Sequence, residues 1–310
     1  MTFGTGVGGR ISDRDTIQQI VDEFTKRGHT ELDTARMYCE GNTEEVLSEL
    51  KTTGLQVHTK VYPFKAGDHE PEKLMTTFRA SLKALQRTKV DIFYLHAPDH
   101  SVPFERTLGA VQELYLEGTF TELGLSNYAS WQVMQIYHIC KSKGYVLPTL
   151  YQGMYNALTR DAERELLPCL RELGMRFYAY NPLCGGLLSG HHKFETNPDD
   201  GARFDPKTSQ GERYRGRYWN ETYFKAVEHV KAAVAKHEGM TLLNAAHRWM
   251  FHHSMLDQSK GDGVIIGVSS VAHAVSNLND CEQGELPADI VAAFDEAYAV
   301  TKPLQANYFR

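Results

Sequence analysis

The sequence has no excess of basic residues and no long apolar run, and each absence excludes a class of protein. Its 33 Lys and Arg stand against 39 Asp and Glu, a net charge of −6 at pH 7, and the basic residues are scattered along the chain. This disfavours nucleic acid as the main partner. No stretch approaches the roughly 18 consecutive apolar residues of a membrane span, and the N-terminus lacks the order of a signal peptide. We therefore expect a cytoplasmic protein without a membrane partner.

Cysteine is also scarce, and its spacing carries no metal signature. The five cysteines are widely separated and include no CxxC pair, which favours neither a disulfide framework nor a zinc site. His247, His252 and His253 lie close in sequence, but no cysteine or carboxylate stands at ligand spacing and the segment has the pattern of an amphipathic helix. The sequence therefore predicts reduced, mostly structural cysteines and no metal.

Short apolar runs alternate with longer amphipathic segments along the whole chain, and no linker or low-complexity stretch divides it. This alternation is typical of βα units, and the runs recur at the roughly 25–40 residues that such a unit needs. We predict one α/β domain, residues 1–310, with the fold of a (β/α)₈ TIM barrel. The predicted strands are 30–33, 56–60, 90–96, 122–125, 149–152, 176–180 and 263–267.

Three parts of the chain depart from a regular barrel. Only Met1–Phe3 is available as the eighth strand, so the first strand is predicted to be clipped. The segment Leu187–Tyr223 is polar and rich in Gly, Arg and aromatics, and a loop of that length is usually functional. The tail is predicted as a helix over 286–299 and an extension, 302–310, that folds over the barrel mouth. The other predicted helices are 15–26, 43–51, 71–85, 104–117, 130–143, 163–172 and 241–252.

Four residues suited to acid–base chemistry follow successive strands. Asp33, Lys60 and His96 end three predicted strands, and Tyr38 comes shortly after Asp33. Active sites of parallel barrels form at the carboxyl ends of strands, so these side chains are expected to converge. An ammonium beside a phenol favours the phenolate, so we expect Lys60 to tune Tyr38 as general acid. Asp33 would orient Lys60, and His96 would hydrogen-bond a substrate carbonyl. Singly, Asp33, Lys60 and Tyr38 could each be an ordinary cap or surface residue, whereas His96 after an apolar strand is harder to explain in that way. Together the four predict an active site.

A glycine motif offers a different interpretation. Gly4, Gly6 and Gly9 satisfy GxGxxG, with Glu31 or Asp33 about twenty residues further on, as in a dinucleotide-binding Rossmann fold. That fingerprint needs a full strand before it and a helix opening within it, and neither is evident here. A glycine-rich turn of a barrel is favoured, and a Rossmann-type dehydrogenase is the alternative.

The four residues and several longer runs resemble the aldo-keto reductase superfamily, and more narrowly its aflatoxin aldehyde reductase subfamily. The runs are RGHTELDTARMY, VDIFYLHAPDH, ELGLSNYASW, PTLYQGMYNALTR, RFYAYNPLCGGLLSG, RWMFHHS and the terminal NYFR. The resemblance covers nearly the whole chain. It implies NADP(H)-dependent reduction of aldehydes, including dicarbonyls, semialdehydes and aromatic aldehydes, by direct hydride transfer with Tyr38 as general acid. It also suggests a homodimer.

The resemblance further implies where the cofactor binds. For the nicotinamide, the residues that match those holding its carboxamide are Ser126, Asn127 and Gln152, and Tyr180 matches the aromatic that stacks on its ring. The pyrophosphate loop is matched by Asn181, Pro182, Leu183 and Gly185. The adenosine end is matched by Ser269, Ser270 and Asn277. Gly267 and His273 stand where many members have Lys and Arg for the 2′-phosphate. Arg203, Arg213 and Arg217 are an alternative source of that cation, because guanidinium suits phosphate.

The same resemblance implies a substrate site. Arg310 matches a residue that would meet a substrate carboxylate, and Met37, Arg217, Tyr218 and Trp219 would stand around it. A cofactor-binding docking subunit, like the channel β subunits of the superfamily, is a further alternative. The terminal NYFR favours the reductase.

Overall fold

A computed structural model describes residues 3–6, 8–198 and 200–310. Within these ranges seven strands form one parallel sheet in which each strand pairs with the next along the chain. All seven predicted strands are confirmed, with ends that differ by at most a few residues. They are β1 (Glu31–Asp33), β2 (Gln56–Val61), β3 (Val90–Leu95), β4 (Phe120–Ser126), β5 (Pro148–Met154), β6 (Arg176–Tyr180) and β7 (Gly263–Val264).

The sequential strand order decides between the two folds considered. A doubly wound Rossmann sheet reverses its strand order at a switch point, whereas this sheet runs from β1 to β7 without reversal. The Rossmann alternative based on Gly4, Gly6 and Gly9 is therefore wrong. Gly4 and Gly6 have φ of 115° and 109° and belong to a turn that precedes the first helix.

The sheet curls so that its first strand faces β5 and β6. The Tyr178 hydroxyl on β6 donates to Glu31 Oε1 on β1 at 3.0 Å, and Gln152 Nε2 on β5 donates to Asp33 Oδ1 at 2.8 Å. These bonds join strands that are not neighbours in the sheet. The interior side chains of β1, β5 and β6 therefore meet across a common space.

The closing strand of the barrel is only partly accounted for. Phe3 forms an isolated parallel bridge with Ile11, and no eighth strand is present in the described ranges. The rest of the predicted first strand, Met1 and Thr2, lies outside the described residues.

Helices cover the outer face of the sheet. The seven predicted inter-strand helices and the C-terminal helix are present, but three helices, α7, α8 and α10, were not expected. The helices are α1 (Arg14–Lys26), α2 (Asn42–Ser48), α3 (Pro71–Ala84), α4 (Phe104–Leu116), α5 (Ser130–Lys143), α6 (Leu166–Glu172), α7 (Ser209–Tyr218), α8 (Glu221–Val234), α9 (Leu242–His252), α10 (Val271–Cys281) and α11 (Ala288–Thr301).

The segment Leu187–Tyr223 is not the long loop that was predicted, because it contains α7. Thr208 caps this helix by accepting a hydrogen bond from the Gly211 amide at 3.0 Å. The sequence SQGERYRGRY has no apolar stripe, and only Gly211 and Tyr218 are buried. Tertiary packing, which hydrophobic periodicity does not record, therefore supports this helix.

Aromatic packing illustrates how the helices are held against the sheet. The Phe93 ring on β3 lies with its centroid 4.2 Å from that of Phe78 on α3 and 5.5 Å from that of Phe120 on β4. Full burial of each such ring stabilises the fold by about 1.5–3 kcal/mol. No described helix has the length and apolar character needed to cross a membrane.

Candidate active site

A buried ion pair lies at the carboxyl ends of β1 and β2. Lys60 Nζ is 2.6 Å from Asp33 Oδ2 and 2.7 Å from the Thr34 carbonyl, and Lys60 is fully buried. The second oxygen of Asp33 accepts from Gln152 Nε2. These contacts hold the Lys60 ammonium among β1, β2 and β5.

Tyr38 and His96 complete the group of four. Tyr38 begins a tight turn, Tyr38–Gly41, in which Cys39 and Glu40 are left-handed with φ of 49° and 57°. The centroid of its ring lies 5.3 Å from Lys60 Nζ and 6.0 Å from the His96 ring, which meets it edge to face. The structure therefore brings Asp33, Tyr38, Lys60 and His96 to one place.

Burial controls the protonation of these groups. It lowers the pKa of Lys60, although the charge and hydrogen bond of Asp33 oppose this effect. Burial would raise the pKa of Asp33, but the Lys60 charge and hydrogen bond help to hold that pKa below its ordinary value. The pKa of His96 is well below normal because of burial and the Lys60 charge. At neutral pH, His96 is thus an uncharged imidazole that can donate a hydrogen bond.

The pKa of Tyr38 is governed mainly by its burial. Burial, assisted by the Asp33 carboxylate, raises the pKa of Tyr38 well above that of a free phenol. Desolvation of the phenolate therefore outweighs the attraction of the Arg203 guanidinium, which lowers this pKa. The consequence is that Tyr38 carries its proton throughout the neutral range, as a proton donor must.

The residues predicted to hold a carboxamide lie beside His96. Ser126 ends β4, and Asn127 follows it in the left-handed region with φ 62°. Asn127 Nδ2 donates to the His96 carbonyl at 2.8 Å and to Ser126 Oγ at 2.9 Å, while its Oδ1 accepts from the Tyr180 hydroxyl at 2.8 Å. This network joins the ends of β3, β4 and β6. The Asn127 amide nitrogen, like that of Gln152, already has protein acceptors.

A strongly turned loop follows β6. Asn181, Gly185 and Gly186 all have positive φ, at 60°, 70° and 109°. The Asn181 carbonyl accepts from Asn156 Nδ2 and its side-chain oxygen accepts from the Tyr214 hydroxyl, both at 3.0 Å. A Cβ on Gly185 would lie 2.5 Å from a ring carbon of Tyr214. Glycine is therefore required where α7 closes on this loop.

This loop has features that suit a dinucleotide. Asn181 Nδ2 is buried and finds no acceptor among the described residues, so it is a donor available to a bound polar group. Pro182 is buried and Leu183 packs against the core, and these two residues anchor the loop. Beside Gly186 the space is open, since a Cβ there would meet nothing within 4 Å. These observations fit the predicted cofactor loop.

The residues predicted for the adenosine end lie at and just before the first turns of α10. Ser269 Oγ is hydrogen-bonded to His273 Nδ1 at 2.9 Å, and Ser270 caps the helix by accepting from the His273 amide at 3.1 Å. Asn277 is buried one turn further along. The His273 ring is therefore hydrogen-bonded to a serine hydroxyl and not to an acidic side chain.

The predicted phosphate-binding arginines gather around Tyr214. Arg203 Nη1 donates to the Tyr214 hydroxyl at 3.0 Å, and the guanidinium carbons of Arg203 and Arg217 lie 4.9 and 5.5 Å from the centre of its ring. Arg213 is exposed on the same helix. Tyr214 thus connects two of these arginines to Asn181.

The C-terminus and one cavity flank the site. Met37 and Tyr62 line a cavity of about 390 Å³, and the Tyr62 ring meets His96 edge to face at 5.5 Å. Arg310 donates from Nη1 to the Tyr62 hydroxyl at 3.2 Å and from its backbone amide to the Asn127 carbonyl at 3.0 Å. The last residue of the chain is therefore tied to the carboxyl end of β4.

The other two predicted substrate residues are buried in a packing cluster. The Tyr218 hydroxyl lies 3.2 Å from the Met154 sulfur. The Trp219 ring packs against Phe204 and Phe224 with centroids 5.1 and 4.9 Å apart. These contacts secure the end of α7 and the start of α8.

Tyr62, Asn156 and Tyr214 are neighbours of the site that sequence reasoning missed. Tyr62 follows Lys60 by two residues. Its position just after the end of a predicted strand could have identified it as a residue near the site. Asn156 and Tyr214 reach the site through hydrogen bonds to Asn181, which is distant from both in sequence. Residue spacing does not reveal such contacts.

Comparison with known proteins identifies relatives across nearly the whole chain. Residues 1–299 match the model of the Aldo/keto reductase family. The chain is 46% identical to aflatoxin B1 aldehyde reductase member 2 of Mus musculus, covering 99% of this chain and 87% of the relative. It is 44% identical to aldo-keto reductase family 7 member A3 of Homo sapiens, covering 97% and 94%. An aldo-keto reductase of Pseudocercospora fijiensis is 46% identical over 94% of this chain and all of its own.

Proposed function

The chain belongs to the aldo/keto reductase family, and from this premise we propose that it reduces aldehydes to alcohols with NADPH, using Tyr38 as general acid. The observation that carries the proposal is the convergence of a protonated Tyr38, a neutral His96 and the Asp33–Lys60 pair at the ends of three adjacent strands. The named relatives include aldehyde reductases, which supports the same reaction class here.

Each of the four side chains has a separate task. NADPH, when bound, supplies the hydride that the aldehyde carbon accepts. His96 donates a hydrogen bond to the carbonyl oxygen and fixes its direction toward Tyr38. Tyr38 gives its hydroxyl proton to that oxygen as negative charge develops on it, and the nearby Lys60 ammonium stabilises the phenolate left behind. Asp33 holds Lys60 in place.

The loop Asn181–Gly186 would hold the cofactor. Asn181 Nδ2, which has no acceptor among the described residues, is a donor for a carboxamide or phosphate oxygen, and left-handed glycines let backbone amides approach phosphates closely. Tyr180 offers its ring, Ser126, Asn127 and Gln152 supply polar groups by exchanging their present partners, and Ser269, Ser270 and Asn277 form the adenosine end. Arg203 and Arg213 would supply positive charge near the phosphates.

Substitution at Gly185 tests this cofactor loop. Gly185→Ala should weaken NADPH binding by about tenfold or more, because the new methyl group meets the Tyr214 ring and backbone strain at positive φ costs roughly 1–3 kcal/mol. Gly190→Ala, outside this loop, is the matched control: Gly190 has φ 74° and so carries the same kind of backbone strain, but its Cβ would meet Leu242 only at an ordinary contact distance of 3.4 Å. Quenching of protein fluorescence gives the Kd. If both variants lost the same NADPH affinity, contact with the Tyr214 ring would not be the cause of the loss.

Arg310 is proposed to recognise a carboxylate on the substrate, with Met37 and Arg217 nearby. Its guanidinium is hydrogen-bonded only to the neutral Tyr62 hydroxyl among the described residues, so its charge remains available. Arg310→Ala should raise the KM for succinic semialdehyde by about tenfold and that for a neutral nitrobenzaldehyde much less, since a charged hydrogen bond contributes about 1.5–3 kcal/mol. Equal changes for both aldehydes would contradict this role.

The reaction itself is tested by the absorbance of NADPH. Wild-type protein should oxidise NADPH when succinic semialdehyde or a nitrobenzaldehyde is added, and a parallel assay with NADH ranks the two cofactors. Binding of NADPH without turnover of any aldehyde would instead favour a cofactor-binding docking subunit.

A further inference from the structure

A second buried carboxylate lies directly behind the catalytic group. Glu44, in the first turn of α2, is completely buried. Its Oε1 accepts from the Thr59 hydroxyl at 2.5 Å, and its Oε2 forms an ion pair with Arg36 Nη1 at 2.9 Å. Carboxylates are almost never fully buried unless they are paired, so the contacts with Arg36 and Thr59 are what allow Glu44 to be buried here.

Glu44 connects the segments that carry three of the four proposed catalytic residues. Thr59 immediately precedes Lys60 on β2, and Arg36 lies between Asp33 and Tyr38. The Arg36 amide donates to the Lys60 carbonyl at 3.1 Å. One carboxylate thus holds the Lys60 strand and the Tyr38 segment together.

Arg36 is also clamped against the turn that begins at Tyr38. A Cβ on Gly41 would lie 2.6 Å from its guanidinium, and Gly41 has φ 97°. Only glycine lets the guanidinium lie this close to the turn. The position of the Tyr38 turn therefore depends on Arg36, and the position of Arg36 depends on Glu44.

We propose that Glu44 is a positioning residue for the reductase reaction, which holds the Tyr38 turn against the Lys60 strand and places a second buried negative charge close to Lys60. The inference rests on the proposed function, because it concerns the same site. Glu44 touches neither substrate nor cofactor, and it acts through Lys60 and Arg36.

The charges around Lys60 support the second part of this role. Burial lowers the pKa of Lys60, and both Asp33 and Glu44 oppose that effect. Without the Glu44 charge, Asp33 would be the one carboxylate of this pair left to balance two cations, Lys60 and Arg36. The titratable groups that face Lys60 are Asp33, Tyr38, Glu44, His58, Tyr94 and His96.

Glu44→Gln removes the charge and keeps the size and a hydrogen-bond acceptor. We expect kcat to fall by roughly tenfold with little change in KM. We also expect the alkaline limb of the kcat–pH profile to move to lower pH, because Lys60 loses its proton sooner. The limb follows Lys60 rather than Tyr38, since burial lowers the pKa of Lys60 and raises that of Tyr38.

Two further variants separate charge from packing. Thr59→Val removes a hydrogen bond to Glu44 but keeps its charge, so the alkaline limb should stay in place. Arg36→Gln removes the competing cation, so the limb should move to higher pH, a direction that misfolding does not produce. The proposal would be overturned if the alkaline limb of the kcat–pH profile stayed in place in Glu44→Gln. It would also be overturned if that limb moved as far in Thr59→Val as in Glu44→Gln. If Glu44→Gln does not fold, the direction found for Arg36→Gln decides.

A readout independent of turnover separates this inference from the proposed function. Lysine labelled with ¹³C at Cε allows the Lys60 ammonium to be titrated by NMR in the free protein. Lys60 should lose its proton at lower pH in Glu44→Gln than in wild type. An absence of wild-type turnover would refute the proposed function, whereas an unchanged Lys60 titration would refute the role of Glu44 alone.

Discussion

Tyr38→Phe is expected to lower kcat for aldehyde reduction by roughly 10²–10⁴-fold, the usual contribution of a general acid. The substitution removes the proton donor and keeps the ring that packs edge to face against His96. NADPH affinity should therefore stay close to that of wild type. Single-turnover measurement of NADPH oxidation, with Kd from fluorescence, separates the two quantities.

Tyr62→Phe provides the matched control. Tyr62 also meets the His96 ring edge to face, and its hydroxyl contacts Arg310 rather than Lys60. We expect this variant to keep kcat within a few-fold of wild type. A Tyr38→Phe enzyme that keeps a tenth or more of its activity, or a Tyr62→Phe enzyme that loses as much, would contradict the assignment of the acid.

Lys60→Met should damage both the fold and the reaction. Lys60 is fully buried and 2.6 Å from Asp33, and removal of one member of a buried ion pair typically costs about 3–5 kcal/mol because a buried charge remains. Methionine fills a similar volume, so the loss reflects charge more than a cavity. Urea denaturation followed by circular dichroism should give a free energy of unfolding reduced by that amount, and turnover should be abolished.

The double variant Lys60→Met with Asp33→Asn tests the reason for this loss. The introduced asparagine would be neutral and its side-chain oxygen could still accept from Gln152, which bonds Asp33 Oδ1 in the native protein. We expect the double variant to be more stable than Lys60→Met alone, although equally inactive. A double variant whose losses are simply additive would show that the two charges are not coupled.

The strands and the ends of strands were predictable from the sequence. Continuous apolar runs of the right length identify buried parallel strands, and the repeating βα unit places their carboxyl ends on one side. Asp33, Lys60 and His96 were therefore placed correctly relative to one another before any contact was known. The same rule explains why Ser126, Gln152 and Tyr180 lie near them.

Contacts across the curled sheet and between loops were not predictable. The Gln152–Asp33 bond joins residues on opposite sides of the interior, and no local pattern specifies it. The helix α7 lacks an apolar stripe, so Tyr214 and its bond to Asn181 were hidden in what looked like a loop. Glu44 gives only a weak signal in the sequence: it is an acidic residue one helical turn or less from the buried Val46 and Leu47 of α2.

The protonation state of Tyr38 was also beyond sequence reasoning. The spacing correctly suggested a lysine near a tyrosine, but the balance between attraction and desolvation depends on how deeply the phenol is buried. Burial dominates here and raises the pKa of Tyr38. A protonated Tyr38 still serves catalysis, because the acid must hold its proton until the carbonyl oxygen becomes basic.

The most direct test is the fate of the hydride. Wild-type protein is incubated with a nitrobenzaldehyde and NADPH in which both hydrogens at C4 are replaced by deuterium, and the alcohol is analysed by mass spectrometry. We expect one deuterium on the carbinol carbon of each product molecule and almost no product with Tyr38→Phe. Alcohol formed without deuterium, or no consumption of NADPH with any aldehyde, would contradict direct hydride transfer at this site.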